Sequence, residues 1–254
     1  MAWTWRFGVE LEGKGLHPQQ AAEVLNANGV PCRYLGYTHA VTPTWKTVTD
    51  ASVRGGFELV SPILSGKAGL EELAKVCRVL TAAGARVDRS CGFHVHHDVR
   101  GKAFARSSRR KREAFMRRLA AIYARFEPAL DALVAPSRRA DANRYCRSMA
   151  YVNGSGAPDT ADRYRKVNFV AFVRHGTVEF RHHQGTFDPE KAVWWVKLTH
   201  KLLSRAWEPE YLHLQPEDFP PTLDGLMDFL NAPKSMRAYF ARRAAETGRR
   251  SAGR

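Results

Sequence analysis

The chain has 254 residues, 44% of them hydrophobic, enough for one large domain with a core of its own. Forty Lys and Arg against 25 Asp and Glu give a net charge of +15, which implies an anionic partner such as a nucleotide, a nucleic acid or an acidic polymer. No apolar run reaches the roughly 18 residues of a membrane span, and Met1-Ala2-Trp3-Thr4-Trp5-Arg6 lacks the apolar core of a signal peptide, so a cytoplasmic location is expected.

Trp5, Phe7, Val9 and Leu11 alternate with Arg6, Gly8, Glu10 and Glu12, the period of a strand. Glu10 and Glu12 therefore share a face. A short helix follows, with Pro18 in its first turn and Gly29 as its stop. Arg33 to Tyr37, Trp45 to Asp50 and Phe57-Glu58-Leu59-Val60-Ser61-Pro62 read as strands, the last after the turn pair Gly55-Gly56. Gly69 to Ala83 has a helical stripe of Leu70, Leu73, Val76, Cys77 and Leu80.

Cys91-Gly92-Phe93-His94-Val95-His96-His97-Asp98 is the next strand, with His94, His96 and Asp98 on one face and Phe93, Val95 and His97 on the other. A metal site, an acid–base site and a wet sheet surface all fit these three polar residues alone. From Ser107 to Leu133 an amphipathic helix is expected, very basic on its outer face and bent at Pro128. Asn153 to Asp159 has the composition of a mobile loop, a candidate lid.

Lys166 to Phe172 and Gly176 to His183 read as strands around a turn at Arg174-His175. Asp188-Pro189 caps and opens a helix. Beyond Trp207 the spacing predicts two short helices, Leu223 to Leu230 and Ser235 to Arg243, then a basic, disordered tail. The expected organisation is a catalytic domain over 1–207 and a helical appendage over 208–254, in an α+β fold with a largely antiparallel sheet. Cys32, Cys77, Cys91 and Cys146 form no C-x-x-C pair and read as free thiols.

Four strands carry the same chemistry. Glu10 and Glu12, then Glu58, then His94 and His96, then Glu179, Arg181 and His183 each form a polar face backed by an apolar one. Any one strand is explained by a sheet with a wet face. Together they describe crowded carboxylates in a strongly basic protein, and a divalent cation is the natural compensation. Glutamate oxygens with one imidazole suit Mg2+, or Mn2+, better than structural zinc. Magnesium shares phosphate oxygens, so a nucleotide is expected. With no Gly-rich phosphate loop in the sequence, metals and basic side chains must hold it.

The ordered set Gly8-Val9-Glu10-Leu11-Glu12, Phe57-Glu58-Leu59-Val60-Ser61-Pro62, Gly92-Phe93-His94-Val95-His96 and Val178-Glu179-Phe180-Arg181 resembles the amidoligase family of the carboxylate–amine ligase superfamily, alongside glutamine synthetase and glutamate–cysteine ligase. The resemblance spans Phe7 to Thr186. It implies a curved antiparallel sheet of the glutamine synthetase catalytic-domain type with helices on its outer face, using ATP and two or three Mg2+ ions. Carried over by position, it implies metal ligation by Glu10, Glu12, Glu58, His94 and Glu179, with Glu10 and Glu179 also catalytic. Arg181 falls on the family's arginine that contacts the acyl phosphate or the substrate carboxylate. Arg144 matches the mid-chain substrate arginine, and Lys166, Asn168 and His96 are candidates for phosphate or substrate contact. Asp50, His96 or Asp98 would take the amine proton.

The resemblance thus implies a ligase that joins a carboxylate to an amine on an amino acid, a peptide or a glutamate-containing acceptor. The separate N-terminal domain and flap of glutamine synthetase are not recognisable, so a primary amine is expected in place of ammonia. Two other classes stand beside this one: a metal-dependent hydrolase working through His94 and His96, and a basic nucleic-acid-binding protein using Arg106 to Arg118 and the tail.

Overall fold

The computed structural model describes residues 5–38, 40–49, 53, 55–101, 106–150 and 161–252. Asp50 and the loop Asn153 to Asp159 lie outside the described residues. The chain forms two compact units: Met1–Asp98 with His183–Lys197, and Val99–His182 with Leu198–Arg254. Neither unit is a continuous stretch. The fold is mixed α and β with a mostly antiparallel open sheet.

In the first unit, β1 (Arg6–Lys14) is central. It pairs antiparallel with β4 (Gly56–Val60) on one side and β6 (Gly92–Asp98) on the other. β3 (Trp45–Val48) adds antiparallel to β4, and β2 (Cys32–Tyr34) adds parallel to β3. The short β5 (Leu64–Ser65) pairs with the start of β1.

The two faces of these strands differ as the alternation requires. Phe7, Val9, Leu11, Phe57, Leu59, Phe93 and Val95 are buried on one side. Helices α1 (Pro18–Ala27) and α2 (Gly66–Ala82) cover that side with Ala21, Leu25, Leu73, Val76 and Leu80. A Cβ on Gly69 of α2 would stand 3.2 Å from Phe7 Cε1, and Thr47 Oγ1 donates to Pro18 O at 2.7 Å. Full burial of each large apolar side chain is worth about 1.5–3 kcal/mol, so this face holds the strands and leaves the other free for chemistry.

The second unit is built on α3 (Arg109–Asp131), capped by Ser108 Oγ accepting from Lys111 N at 3.3 Å. Its buried stripe includes Phe115, Leu119, Ile122, Phe126 and Leu130, and Phe126 lies 5.3 Å from Phe229 of α6 (Leu223–Phe229). Part of its basic face is spent on structure: Arg118 donates to the carbonyls of Arg205, Tyr211 and Leu214, and Arg125 to that of Phe219.

The segment expected as a strand over Lys166 to Phe172 is corrected by the structure. Only Val167–Asn168 is extended, as β7, and α4 (Val170–His175) follows at once. Asn168 Oδ1 accepts from Val170 N at 2.8 Å, a local turn bond that overrides the apolar run, and Gly176 at φ +66° ends the helix. β8 (Thr177–Gln184) then returns antiparallel to β7, with Asn168 opposite Glu179. Asp188 caps α5 (Pro189–Trp207) as expected, its Oδ1 accepting from Glu190 N and Lys191 N at 3.0 and 3.1 Å.

The basic tail also departs from expectation. The last helix, α7 (Lys234–Ala252), runs well past Arg243. Arg243 Nε donates to Leu133 O at 3.1 Å, Thr247 Oγ1 donates to Ala132 O, and Glu246 sits within ion-pair range of Arg243 at 3.5 Å. These contacts fasten the end of α7 to the end of α3.

Candidate active site

The register of the first unit assembles the site. In antiparallel pairs, directly opposed residues point to the same face. Lys46 opposes Val60, Val60 opposes Glu10, and Glu10 opposes His94, which makes one row across four strands. In the next row Val48 opposes Glu58 and Glu58 opposes Glu12. His96 lies beside them, opposite Gly8. Glu10, Glu12, Glu58, His94 and His96 are thus gathered on one face by pairing alone.

Side-chain contacts tighten that arrangement. His94 Nδ1 lies 3.0 Å from Glu10 Oε2, and His96 Nε2 lies 3.3 Å from Glu10 Oε1. His94 Nε2 is 3.9 Å from Glu12 Oε1. The other oxygen of Glu12 accepts the backbone N–H of Gly92 at 2.6 Å. Burial alone would raise the Glu10 pKa, yet its hydrogen bonds with His94 and His96 hold the carboxyl well below its ordinary value. Glu10 is therefore an anion bracketed by two imidazoles, on a face whose three carboxylates supply the oxygen donors that a hard divalent cation takes.

Asp98 leaves this constellation. It is buried and lies 3.5 Å from Arg6 at the strand's end, so it is an ion-paired terminus and not the solvated terminator its position suggests. Asp88 and Lys14 close the other end of the face at 2.7 Å. All four cysteines are buried and none is in a disulfide, and burial pushes the Cys32 and Cys77 thiols up to about 12.

The second unit holds the remaining candidates. Glu179 and Arg181, two apart on β8, form an ion pair. Asn168 Nδ2 donates to Glu179 Oε2 at 2.5 Å, and Arg181 Nε donates to Tyr145 O at 3.1 Å. Arg144 is exposed, stacked over the Tyr145 ring at 4.7 Å.

Lys166 stands elsewhere than a phosphate contact would. Its side chain is fully buried, and its ammonium donates to Glu127 Oε1 at 2.7 Å and Asp131 Oδ1 at 2.6 Å. Asp131 Oδ1 is also 2.8 Å from His182 Nε2, and the Tyr123 hydroxyl is 2.8 Å from His182 Nδ1. This network, running from Tyr123 through His182, Asp131 and Lys166 to Glu127, is not visible in the sequence. Its acids lie one helical turn apart on α3, hidden there among basic residues. Lys46 is the other omission: the alternation of Trp45 to Val48 puts it on the polar face, but only the register shows which glutamates it faces.

Comparison with known proteins gives the family. The family described as "Putative amidoligase enzyme" matches residues 3–153 and 150–203. The chain belongs to this family. An amidoligase is a ligase-type enzyme, and the matched range contains every strand among the described residues. A solved structure described as a novel glutamine synthase homolog is similar over 96% of this chain, at 15% identity and a TM-score of 0.43. This chain spans 64% of that protein's length. No curated protein matches the chain. Among the described residues, no helix is long and apolar enough to cross a membrane.

Proposed function

We propose that this amidoligase is an ATP-dependent carboxylate–amine ligase that works through an acyl phosphate on an amino acid, a peptide or another glutamate-containing acceptor. The observation that carries the proposal is the pair of rows that brings Glu10, Glu12, Glu58 and His94 to one sheet face, with Glu10 kept anionic between two imidazoles. Family membership supports amide formation, and the helix-backed antiparallel strands of the first unit support a sheet of the glutamine synthetase catalytic type. Buried cysteines held outside any disulfide suit a reducing compartment such as the cytoplasm.

In this reading Glu10, Glu12, Glu58 and His94 would hold two or three Mg2+ ions, or Mn2+. Metal bound there would supply charge neutralisation for the triphosphate. The substrate carboxylate oxygen attacks the γ-phosphorus of ATP and ADP leaves. The amine nitrogen then attacks the acyl carbon, phosphate leaves with the C–O bond electrons, and the nitrogen gives up a proton. Arg181, paired with Glu179 on β8, would stabilise the negative charge of the acyl phosphate and the tetrahedral intermediate. Asn168 fixes the rotamer of Glu179, His96 faces phosphate, and exposed Arg144 meets the substrate carboxylate.

The test is trapping. With ATP, Mg2+ and a panel of amino acids and glutamyl peptides, hydroxylamine converts an acyl phosphate to a hydroxamate and ADP accumulates. Glu10→Gln abolishes both products while the protein stays folded. Cleavage of ester or amide substrates without ATP would instead establish a hydrolase.

A further inference from the structure

The face that gathers three glutamates also carries a buried lysine that no family motif in the sequence includes. Lys46 is only 2% exposed. It stands in the same row as Glu10 and His94, one strand beyond Val60, and its neighbour Val48 opposes Glu58. Its ammonium donates to Ala40 O at 2.6 Å and Thr38 O at 3.1 Å. Two neutral carbonyls do not balance a buried positive charge. Burial lowers the Lys46 pKa, and the charges that oppose this shift are those of Glu58 and Glu10. The ends of the face are neutralised separately, by Arg6 with Asp98 and by Lys14 with Asp88.

A lysine in that place competes with any metal the same carboxylates bind. A divalent cation arriving alone is repelled by the ammonium, whose charge already offsets part of that of Glu58 and Glu10. A cation arriving with an anion is not, because the anion's oxygens offset both positive charges.

We propose that Lys46 is the built-in counter-ion of the carboxylate face, weakening its hold on a bare divalent cation so that tight cation binding requires a phosphate-bearing ligand beside it. The inference rests on the reading of this face as a metal–nucleotide site and assigns the residue that couples the two ligands. By linkage, the factor by which nucleotide tightens metal binding equals the factor by which metal tightens nucleotide binding, and Lys46 contributes to both.

The experiment is a calorimetric titration of Mn2+ into wild type, Lys46→Gln, Lys46→Met and Lys46→Arg, alone and with a non-hydrolysable ATP analogue. Glutamine keeps an N–H donor for the loop carbonyls without the charge, methionine keeps the shape, and arginine keeps the charge. The expected result is at least about fivefold tighter binding of Mn2+ alone to the two uncharged variants, the order set by one charge in a part-solvated site. The tightening of Mn2+ binding by the analogue shrinks in those variants, and Lys46→Arg follows wild type. Equal or weaker binding of Mn2+ to folded Lys46→Gln and Lys46→Met overturns the inference. If Glu10→Gln still abolishes Mn2+ binding in that case, the metal site stands without this role for Lys46. If wild type binds no Mn2+ with or without the analogue, the metal site and the inference fall together.

Discussion

The carboxylate of Glu12 bridges two strands: one oxygen accepts the backbone N–H of Gly92 at 2.6 Å, while the other lies 3.9 Å from His94 Nε2. One glutamate thus pins β6 to β1 and still presents an oxygen to the site. Substitution separates the two roles. Glu12→Gln keeps an acceptor for Gly92 and is expected to leave the melting temperature within a few degrees while weakening Mn2+ binding at least about tenfold. Glu12→Ala leaves a buried amide unsatisfied and is expected to cost a further 1–3 kcal/mol or so of stability by urea unfolding.

Gly13 follows Glu12 because nothing larger fits. A Cβ there would lie 2.5 Å from Phe187 Cζ and 2.9 Å from Phe57 Cζ, two rings stacked with centroids 6.0 Å apart. Both rings are buried in the core, so neither swings away freely. Gly13→Ala is expected to destabilise the protein by about 1–3 kcal/mol and to lower the melting temperature by several degrees. An unchanged melting temperature would show that the stacked pair yields.

Lys166 distinguishes a structural charge from a phosphate contact. Removing its ammonium strands the carboxylates of Glu127 and Asp131. Lys166→Met is therefore expected to lose about 3–5 kcal/mol of unfolding free energy. A variant of wild-type stability whose only defect is weaker ATP binding would return Lys166 to the nucleotide.

His182 makes that network sensitive to acid. Burial lowers its pKa from 6.5 to about 4, against the opposing pull of Asp131. The folded protein thus holds the neutral ring, and the unfolded chain takes up the proton first. The stability this adds is complete above pH 6.5 and declines as the pH falls toward 4. At its largest the loss is on the order of 3 kcal/mol. Urea midpoints measured from pH 7.5 to 4.5 should fall more steeply for wild type than for His182→Gln, and identical slopes would remove His182 as the cause.

The sequence by itself determined the strands that matter and the faces of their side chains. Glu10 and Glu12, and likewise His94 and His96, lie two apart, and a period of two leaves no other arrangement once the backbone is extended. It determined the family as well, through four short motifs in a fixed order. It did not determine which residues meet. Register is set by apolar packing on the opposite face, from residues far apart in the chain, and only that register puts Lys46 in line with Glu10 and His94. A local bond from Val170 N to Asn168 Oδ1 turned Val170–Phe172 from expected strand to helix, and tertiary structure drew Lys166 into a buried network with acids 35 and 39 residues earlier. A local pattern records which way a side chain points. The partner it finds there depends on contacts that form only when distant segments pack.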